Sequence, residues 1–319
     1  ELYGHDLLSV VGSELKAWQV LSDYYAKTGN RAAACLTALE ALKAHGDLTE
    51  RERIRKADSL IAVYGDLPEA CEIAIQRYEW MDDDPYDERQ YAEWLQQSLK
   101  RWGTWQRANS LRNSWAELTK PSFEAKVPHR VVASGQCQTI GLLRMRHLQS
   151  LTLRVFRTQL KGDTELTPEN NEDYRKLKVN MTELTDQCRE LTFAAHEDYE
   201  LFADSLQLGG LPVGVYLLEF STQPQTSVVR YLYFVSDVRT IIQPQPDETI
   251  RYVVVDATTG QPISGASIRL GWWEKSMKPK TLTTDSKGEA VYHYEKGRMP
   301  TKVYAYTSQD NYCPETNAY

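Results

Sequence analysis

The stretch VDATTGQPISGA at residues 255–266 and the stretch TTDSKGEA at residues 283–290 decide the fold of the C-terminal quarter of the chain. Each contains an aspartate followed three or four positions later by a glycine, close to runs rich in β-branched residues. Glycine permits the positive φ of a tight turn, an aspartate carboxylate bonds turn amides, and proline stiffens the start of the next strand. The pattern predicts a small antiparallel β-module, and the residues that carry it are Asp256, Gly260, Pro262, Asp285 and Gly288.

Alternating apolar and polar residues predict half-buried strands on both sides of these turns and further upstream. Residues 161–189 are polar and irregular, with a candidate helix or long loop at 171–184. Their low apolar content predicts a surface excursion from a sandwich. The predicted strands are residues 151–157, 215–220, 228–235, 249–256, 268–273, 281–284, 290–294 and 302–307.

The first 120 residues have a helical periodicity. Apolar residues recur at i, i+3 and i+4 from residue 7 to residue 118, which predicts about six helices whose short connections make antiparallel neighbours. The pattern Ala34-Cys35-x-x-Ala38-Leu39 recurs as Ala70-Cys71-x-x-Ala74-Ile75. The two copies are 36 positions apart, which is close to the period of about 34 residues of tetratricopeptide-type helical hairpins. Chance similarity between two alanine-rich helices is the alternative.

Two changes of composition predict the domain boundaries. The first lies at Lys120-Pro121, and the second lies at residues 243–246, where Pro244 and Pro246 predict a stiff, extended connector. We therefore expect a multi-domain α and β chain with three parts. The chain stops without an obvious end signal, so we expect the last domain to be truncated. The parts are an antiparallel, tetratricopeptide-like α-helical domain at 1–120 and two antiparallel β-sandwiches at 121–243 and 244–319.

The composition of the chain limits the classes of partner and of binding site that it can have. The chain has 37 Lys and Arg residues against 44 Asp and Glu residues, and the net charge of −7 disfavours nucleic acid. No apolar run approaches the roughly 18–20 residues that cross a bilayer, and no signal peptide is recognisable. The five cysteines contain no C-x-x-C pair, which argues against a zinc site or a small disulfide framework. They are Cys35, Cys71, Cys137, Cys188 and Cys313.

The two deciding stretches resemble the pattern D-x-x-T-G-x-P-x-x-G-A followed by T-D-x-x-G. This pattern is shared by carboxypeptidase-regulatory-like modules and by the macroglobulin domains of the α2-macroglobulin family. A helical segment ahead of the first macroglobulin domain is also similar to the architecture of the very long bacterial members. Four upstream stretches resemble that first domain: residues 121–159, DYE at 198–200, LPVGVYLL at 211–218 and FVSDV at 234–238.

The resemblance implies macroglobulin-type, immunoglobulin-like sandwiches in a large bacterial cell-envelope protein, in the periplasm or at the cell surface. It implies a non-catalytic scaffold whose partners are downstream macroglobulin domains of the same protein and proteases, with protease inhibition as the family role. The thioester motif C-G-E-Q does not occur in the sequence. We therefore do not expect this chain alone to trap a protease. The alternative is a binding module of an outer-membrane nutrient-uptake system, because carboxypeptidase-regulatory-like domains and tetratricopeptide-like helices also occur there.

No residue set has the spacing of a catalytic, cofactor or metal site, so we expect none of these and no enzymatic activity. His196-Glu197 resembles the start of a zinc-protease helix, but the second histidine at i+4 is missing. The acidic run Asp82 to Asp84, with Asp87 and Glu88, lacks the spacing and the glycine of a calcium loop. It favours a solvated helix cap over a cation site.

Trp272 and Trp273 are the candidate interface residues. They are adjacent in a predicted strand, and neighbouring strand residues face opposite sides. One indole should therefore lie outside the core. It either packs on a neighbouring domain or is exposed as a contact for a ligand or partner.

The boundary at Lys120-Pro121 generates the first testable prediction. Residues 1–120 expressed alone should be soluble and should give a helical circular dichroism spectrum, because their periodicity is helical and ends at this point. A mainly β spectrum, or an unfolded one, would contradict both the boundary and the hairpin interpretation.

Overall fold

The computed structural model describes residues 14–81, 87–223, 225, 227–274 and 276–317. The chain forms two compact units. One contains the residues up to Lys120 together with His196–Leu201, and the other contains Pro121–Ala195 together with the residues from Phe202 onward. Within the described ranges, none of the helices combines the length and the apolar character that crossing a membrane requires.

Six helices form the described part of the first unit, as the periodicity predicted. Asp87, predicted as a helix cap, accepts a hydrogen bond from the Gln90 amide and completes a capping box at α5. Thr49 and Glu52 do the same at α3. The predicted acidic run Asp82 to Asp84 lies outside the described residues. The helices are α1 (Glu14–Lys27), α2 (Arg31–Lys43), α3 (Glu50–Tyr64), α4 (Ala70–Met81), α5 (Glu88–Trp102) and α6 (Asn109–Thr119).

The sequence echo lies on the buried faces of α2 and α4. Small side chains at these positions let neighbouring helices approach closely, and the leucine or isoleucine that follows fills the core between them. The tetratricopeptide-like relationship itself stays a prediction. The equivalent residues, each exposed by 7% or less, are Ala34 and Ala70, Cys35 and Cys71, and Leu39 and Ile75.

The segment His196–Leu201 completes the helical unit. Tyr199 packs against the helical core, with its ring centroid 6.4 Å from that of Trp115. Glu197 forms an ion pair with Arg89 at 2.6 Å. The sequence resemblance had assigned residues 198–200 to the first sandwich, because chain order does not reveal which core a loop joins. A fragment that ends at residue 120 lacks the Tyr199 ring beside Trp115.

The second unit contains two β-sandwiches. In the first, one sheet has the order β1-β3-β7 and the other has the order β2-β9-β8-β4-β5, with β6 also paired to β4. The β2–β9 pair is parallel and the other pairs are antiparallel. The strands are β1 (Ser122–Lys126), β2 (Val131–Val132), β3 (Gln138–Arg146), β4 (Ser150–Thr158), β5 (Met181–Glu183), β6 (Arg189–Thr192), β7 (Phe202–Leu208), β8 (Gly214–Thr222) and β9 (Val228–Val235).

Every residue of β8 is buried, because both faces of its sheet are covered. Tyr216, Leu218 and Phe220 point into the sandwich core. Val215 and Leu217, which alternate with them, belong to a second apolar cluster on the opposite face. Strands buried on both faces read as continuous apolar runs, which explains the sequence GVYLLEF in this strand.

The segment after β4 covers that opposite face. It contains α7 (Asn171–Lys178), and Tyr174 and Met181 pack on the second cluster. Leu177 is 3% exposed. Most residues of 161–189 are still exposed or half-buried, so the segment lies at the surface as predicted, but a few apolar side chains anchor it to the sheet. The candidate helix or long loop at 171–184 is a helix as far as Lys178. A few apolar anchors are enough here, because polar contacts with the sheet hold the rest of the segment.

The main polar contact is Glu219, a carboxylate on the covered face of β8 that is only 3% exposed. Its Oε2 accepts hydrogen bonds from Tyr174 Oη at 3.0 Å and from Arg230 Nε at 2.7 Å. The Arg230 guanidinium also lies 3.6 Å from the centroid of the Tyr174 ring. Removing one partner of such a buried group leaves the other charge uncompensated, which typically costs about 3–5 kcal/mol.

The second sandwich consists of the sheets β10-β11-β14 and β13-β12-β15-β16. The core between them contains Ile250, Tyr252, Val254, Ile268 and Leu270. The strands are β10 (Val238–Pro244), β11 (Thr249–Asp256), β12 (Ser267–Gly271), β13 (Lys280–Thr283), β14 (Glu289–His293), β15 (Lys302–Tyr306) and β16 (Thr316–Asn317).

Residues 243–246, predicted as a connector, instead end strand β10 and begin a hairpin turn. β10 pairs with β11 over its full length, from Val238 opposite Asp256 to Pro244 opposite Ile250. The Gln245 amide donates to the Thr249 carbonyl at 2.8 Å. Pro244 is tolerated because it ends an edge strand, where its missing N–H breaks no ladder bond. The second sandwich thus begins six residues before the predicted boundary at 244, at Val238.

The turns in the stretches 255–266 and 283–290 have the predicted geometry. Gly260 and Gly288 have φ of 69° and 70°. Asp256 Oδ1 accepts from the Thr259 amide at 2.7 Å, and Asp285 Oδ1 accepts from the Glu289 amide at 2.9 Å. These backbone hydrogen bonds hold the pKa of both carboxyl groups below its usual value.

Gly288 also contacts the other turn. A Cβ added there would lie 2.6 Å from the Val254 carbonyl oxygen and 2.9 Å from Pro262 Cβ, whereas a Cβ at Gly260 would meet nothing within 4 Å. The two deciding stretches therefore pack on each other in space. Gly260 serves only the backbone angle, while Gly288 serves both the angle and the close approach.

Gly288→Ala should therefore destabilise the second sandwich more than Gly260→Ala. We expect roughly 1–2 kcal/mol for the positive φ in both variants and roughly 1–3 kcal/mol more for the clash in Gly288→Ala. Hydrogen exchange of the β11 amides in the full chain measures the free energy of opening. Equal effects of the two substitutions would show that the contact between the turns does not stabilise the sandwich.

Candidate interaction sites

The connection between the two sandwiches is hydrogen-bonded to both of them. β9 ends at Val235 and β10 begins at Val238, so only Ser236 and Asp237 join them. Ser236 is fully buried. The connection between the two cores is therefore too short to act as a flexible linker.

Asp237 bonds to both sandwiches. Its carboxylate accepts from the amide and the hydroxyl of Ser134 in the first sandwich, each at 2.7 Å. Its carbonyl accepts from the Ala257 amide in the second sandwich at 2.7 Å. The Asp237 amide donates to Asp310 Oδ2 at 2.7 Å, and Ser236 Oγ lies 3.0 Å from the same oxygen. Asp310 is 6% exposed, so this carboxylate is held almost entirely by protein groups.

A second contact joins the loop after β4 to the end of the second sandwich. The Gly162 amide donates to the Asn311 carbonyl, and the Glu315 amide donates to the Gly162 carbonyl, both at 2.9 Å. A Cβ at Gly162 would lie 1.8 Å from the Cys313 carbonyl oxygen. Tyr312 packs on the apolar cluster of the covered face of β8. Only glycine at position 162 allows the two backbones to approach this closely.

Ion pairs surround this contact. Arg269 lies 2.9 Å from Asp163 and 3.5 Å from Glu315, and Lys302 lies 3.1 Å from Glu315 and 3.3 Å from Glu165. The hydrogen bond to Glu315 raises the pKa of Lys302. These side chains are partly exposed, so each pair contributes little by itself. Together they place opposite charges on the two sides of the contact, around the buried groups of Asp310 and Gly162.

The candidate interface tryptophans lie elsewhere. Trp272 borders the core of its own sandwich, donates from Nε1 to the Arg298 carbonyl at 2.9 Å and meets the Tyr292 ring edge-on. Trp273 is 66% exposed, with Lys302 Nζ 5.5 Å from its ring centroid. The strand ends at Gly271, so both residues follow it. Neither indole is buried between the two sandwiches, and a contact of Trp273 with another domain or partner stays a prediction.

The sequence did not point to the junction as a site. Ser236 and Asp237 were part of the family-like stretch at 234–238, which is the one local signal. Asp310 and Gly162 carry no signal, because their roles depend on residues more than 70 positions away in the chain. Pairings of this kind are tertiary, and no local spacing rule encodes them.

Within the described part of the chain, the residues whose types suggest catalysis or metal binding do not come together in one site. His196 Nδ1 lies 3.5 Å from Glu200 in the segment of the helical unit, and this segment is not a helix. Among the described residues, no three His, Cys, Asp or Glu side chains converge in a way that could hold a metal ion. The absence of enzymatic activity stays a prediction.

The five cysteines are free thiols in different surroundings. Cys35, Cys71 and Cys313 are buried, Cys188 is half-buried and Cys137 is exposed. Burial raises the pKa of the Cys35 thiol to about 12 and that of the Cys71 thiol to about 11. Burial also raises the pKa of Cys313. These buried thiols stay protonated at neutral pH, and the thiolate is the reactive form.

Comparison with known proteins gives limited similarity. No protein-family model matches the chain, and no curated protein matches it. A crystal structure of native alpha-2-macroglobulin from Escherichia coli spanning domains MG0-NIE-MG1 is similar with 13% identity and a TM-score of 0.42. The match covers 62% of this chain and 64% of that one, so this chain spans less than two thirds of its length.

A second crystal structure of the same Escherichia coli protein, spanning domains NIE-MG1, matches with 13% identity and a TM-score of 0.38, over 63% of this chain and 99% of that one. Red sea bream transglutaminase matches with 9% identity and a TM-score of 0.30, over 66% of this chain and 32% of that one. At TM-scores below 0.5, these similarities assign neither a family nor a function.

The burial of the cysteines makes a testable prediction. Iodoacetamide added to the native chain at pH 8 should alkylate Cys137 first, because its thiol is exposed. Cys35 and Cys71 should be alkylated only after unfolding, since both access and the thiolate are lacking in the folded state. Peptide mass spectrometry with and without denaturant measures this. Labelling of Cys35 in the native chain at the rate of Cys137 would contradict the burial of α2.

Proposed function

We propose that this chain is a non-catalytic scaffold region of a bacterial macroglobulin-like protein of the cell envelope, with protease inhibition as the role of the whole protein. The proposal rests on the motif resemblance of the sandwiches and on the way they are joined. One observation carries it: Asp237, in a two-residue connection, is hydrogen-bonded to both sandwiches. Consecutive domains act as a shaped scaffold only if they hold a defined angle.

The chemistry of the junction supports a mechanical role. Asp310 accepts a hydrogen bond from the backbone of the connection, and Gly162 allows close contact between two backbones. The acidic Glu219 is bonded to Tyr174 and Arg230 within one sandwich. These buried polar groups fix geometry, since each would be costly to leave without its partner. Periplasmic or surface location and contact with downstream macroglobulin domains are part of the same proposal.

Hydrogen exchange in the full chain tests the junction. Gly162→Ala should accelerate exchange of the amides at positions 162, 237 and 315 by roughly tenfold or more, because the new Cβ cannot coexist with the Cys313 carbonyl. The amides of β4, β8 and β12 should keep their protection, since each sandwich retains its own core. Gly141→Ala is the matched control, because a Cβ there would meet nothing nearer than 3.7 Å.

Two results would contradict a fixed junction. One is a wild-type chain in which the Asp237 and Glu315 amides exchange as fast as unprotected amides. The other is a Gly162→Ala chain whose exchange at these amides equals that of Gly141→Ala. Uniform acceleration across all strands would instead show that Gly162 supports the fold of a sandwich and not the angle between the two.

A further inference from the structure

The helical unit carries a groove of about 320 Å³ that the scaffold role does not use. It lies between α2 and α4, with Leu39 and Ile75 at its apolar base. Leu36 of α2, 37% exposed, and Trp105 from the loop after α5 form apolar walls. A volume at the lower limit of ligand sites suits one or two side chains better than a cofactor.

The Trp105 wall is held in place. Its Nε1 donates to Glu72 Oε1 at 2.7 Å, and Arg107 Nη1 lies 2.8 Å from Glu72 Oε2. The Glu72 side chain is only 12% exposed, so both of its oxygens are bonded within the protein. The groove is therefore formed before any ligand arrives, and binding needs little ordering of its walls.

The charges around the groove favour a cation. Three carboxylates and two cationic side chains line it, which leaves one net negative charge. Arg107 is paired with Glu72, and Lys43 is paired with Glu40 at 2.9 Å. The Glu79 carboxylate accepts a hydrogen bond from the neutral Gln76 amide at 2.7 Å. Glu79 is therefore the carboxylate with the most capacity to receive a cationic group.

We infer that this groove binds a short peptide segment that places an apolar side chain between Leu36 and Trp105 and a neighbouring Lys or Arg against Glu79. The apolar side chain gains burial on Leu39 and Ile75, which are already shielded from water on their other sides. The basic residue selects for sequence and orientation. An acidic peptide is rejected, because it would bring like charge to Glu40 and Glu79. The inference is independent of the proposed scaffold function.

A random 12-residue peptide library displayed on phage and selected on the full chain tests this inference. The enriched peptides should share an apolar residue next to Lys or Arg. A synthetic consensus peptide, titrated into the full chain by isothermal calorimetry, should bind roughly tenfold or more weakly to Leu36→Asp and roughly 5- to 10-fold more weakly to Glu79→Lys. Leu36 is partly exposed, so the substituted helix should keep its circular dichroism spectrum and its melting temperature.

Val63→Asp is the matched control, since Val63 is an exposed apolar residue of α3, 58% exposed and outside the groove lining. It should bind the consensus peptide like the wild type. The inference is overturned if no peptide is enriched, if the consensus is acidic, or if Leu36→Asp binds as well as Val63→Asp. Binding of free leucine amide with the affinity of the peptide would also overturn it, because the groove would then be a small-molecule site.

Discussion

The hydrogen bonds of Asp237 are the interaction on which the second unit depends. The chain leaves one sandwich at Val235 and enters the next at Val238, so the two intervening residues must satisfy their polar groups without the freedom of a linker. Asp237 does so with Ser134 on one side and with Ala257 and Asp310 on the other. The Asp237 amide is partly buried, and a backbone group removed from water costs about as much as a lost hydrogen bond when it has no partner, so a change of angle that separated it from Asp310 would be penalised.

On the covered face of β8, too, polar groups that lose contact with water are hydrogen-bonded within the protein. Val215 and Leu217 would be exposed apolar residues if the segment after β4 were removed, and Glu219 would be a charge beside them. The segment covers the apolar pair with Tyr174 and Met181 and satisfies the carboxylate through Tyr174 and Arg230. Tyr312 of the second sandwich joins the same apolar cluster. One covered face therefore links the excursion, the first sandwich and the second sandwich.

The sequence predicted features that are local and failed on those that are not. Turn geometry at Gly260 and Gly288 follows from residues a few positions apart, and so does the number of helices. The linker prediction at residues 243–246 failed because two prolines are equally compatible with a linker and with the end of an edge strand. The pairing of Val238 to Pro244 with β11 separates these two cases. The anchoring of the excursion to the sheet was missed, because it depends on a few apolar residues, and apolar content averaged over the segment hides them. Asp310 and Gly162 were beyond reach, since their partners are distant in sequence.

The buried polar groups of this chain differ in what they specify. Glu219 and its partners fix one segment on one sheet, and replacing such a buried network with well-packed apolar residues is often neutral or stabilising, so stability alone does not explain it. The Asp310 site differs because its hydrogen-bond donors are the hydroxyl of Ser236 and backbone amides, including that of Asp237 in the connection. An apolar side chain at position 310 would leave those amides without an acceptor, whatever it gained in packing. The backbone amides that donate to Asp310 are present whatever side chains the connection carries. The junction therefore keeps its requirement for an acceptor at position 310, and the angle between the sandwiches can persist while the surrounding surface sequence changes.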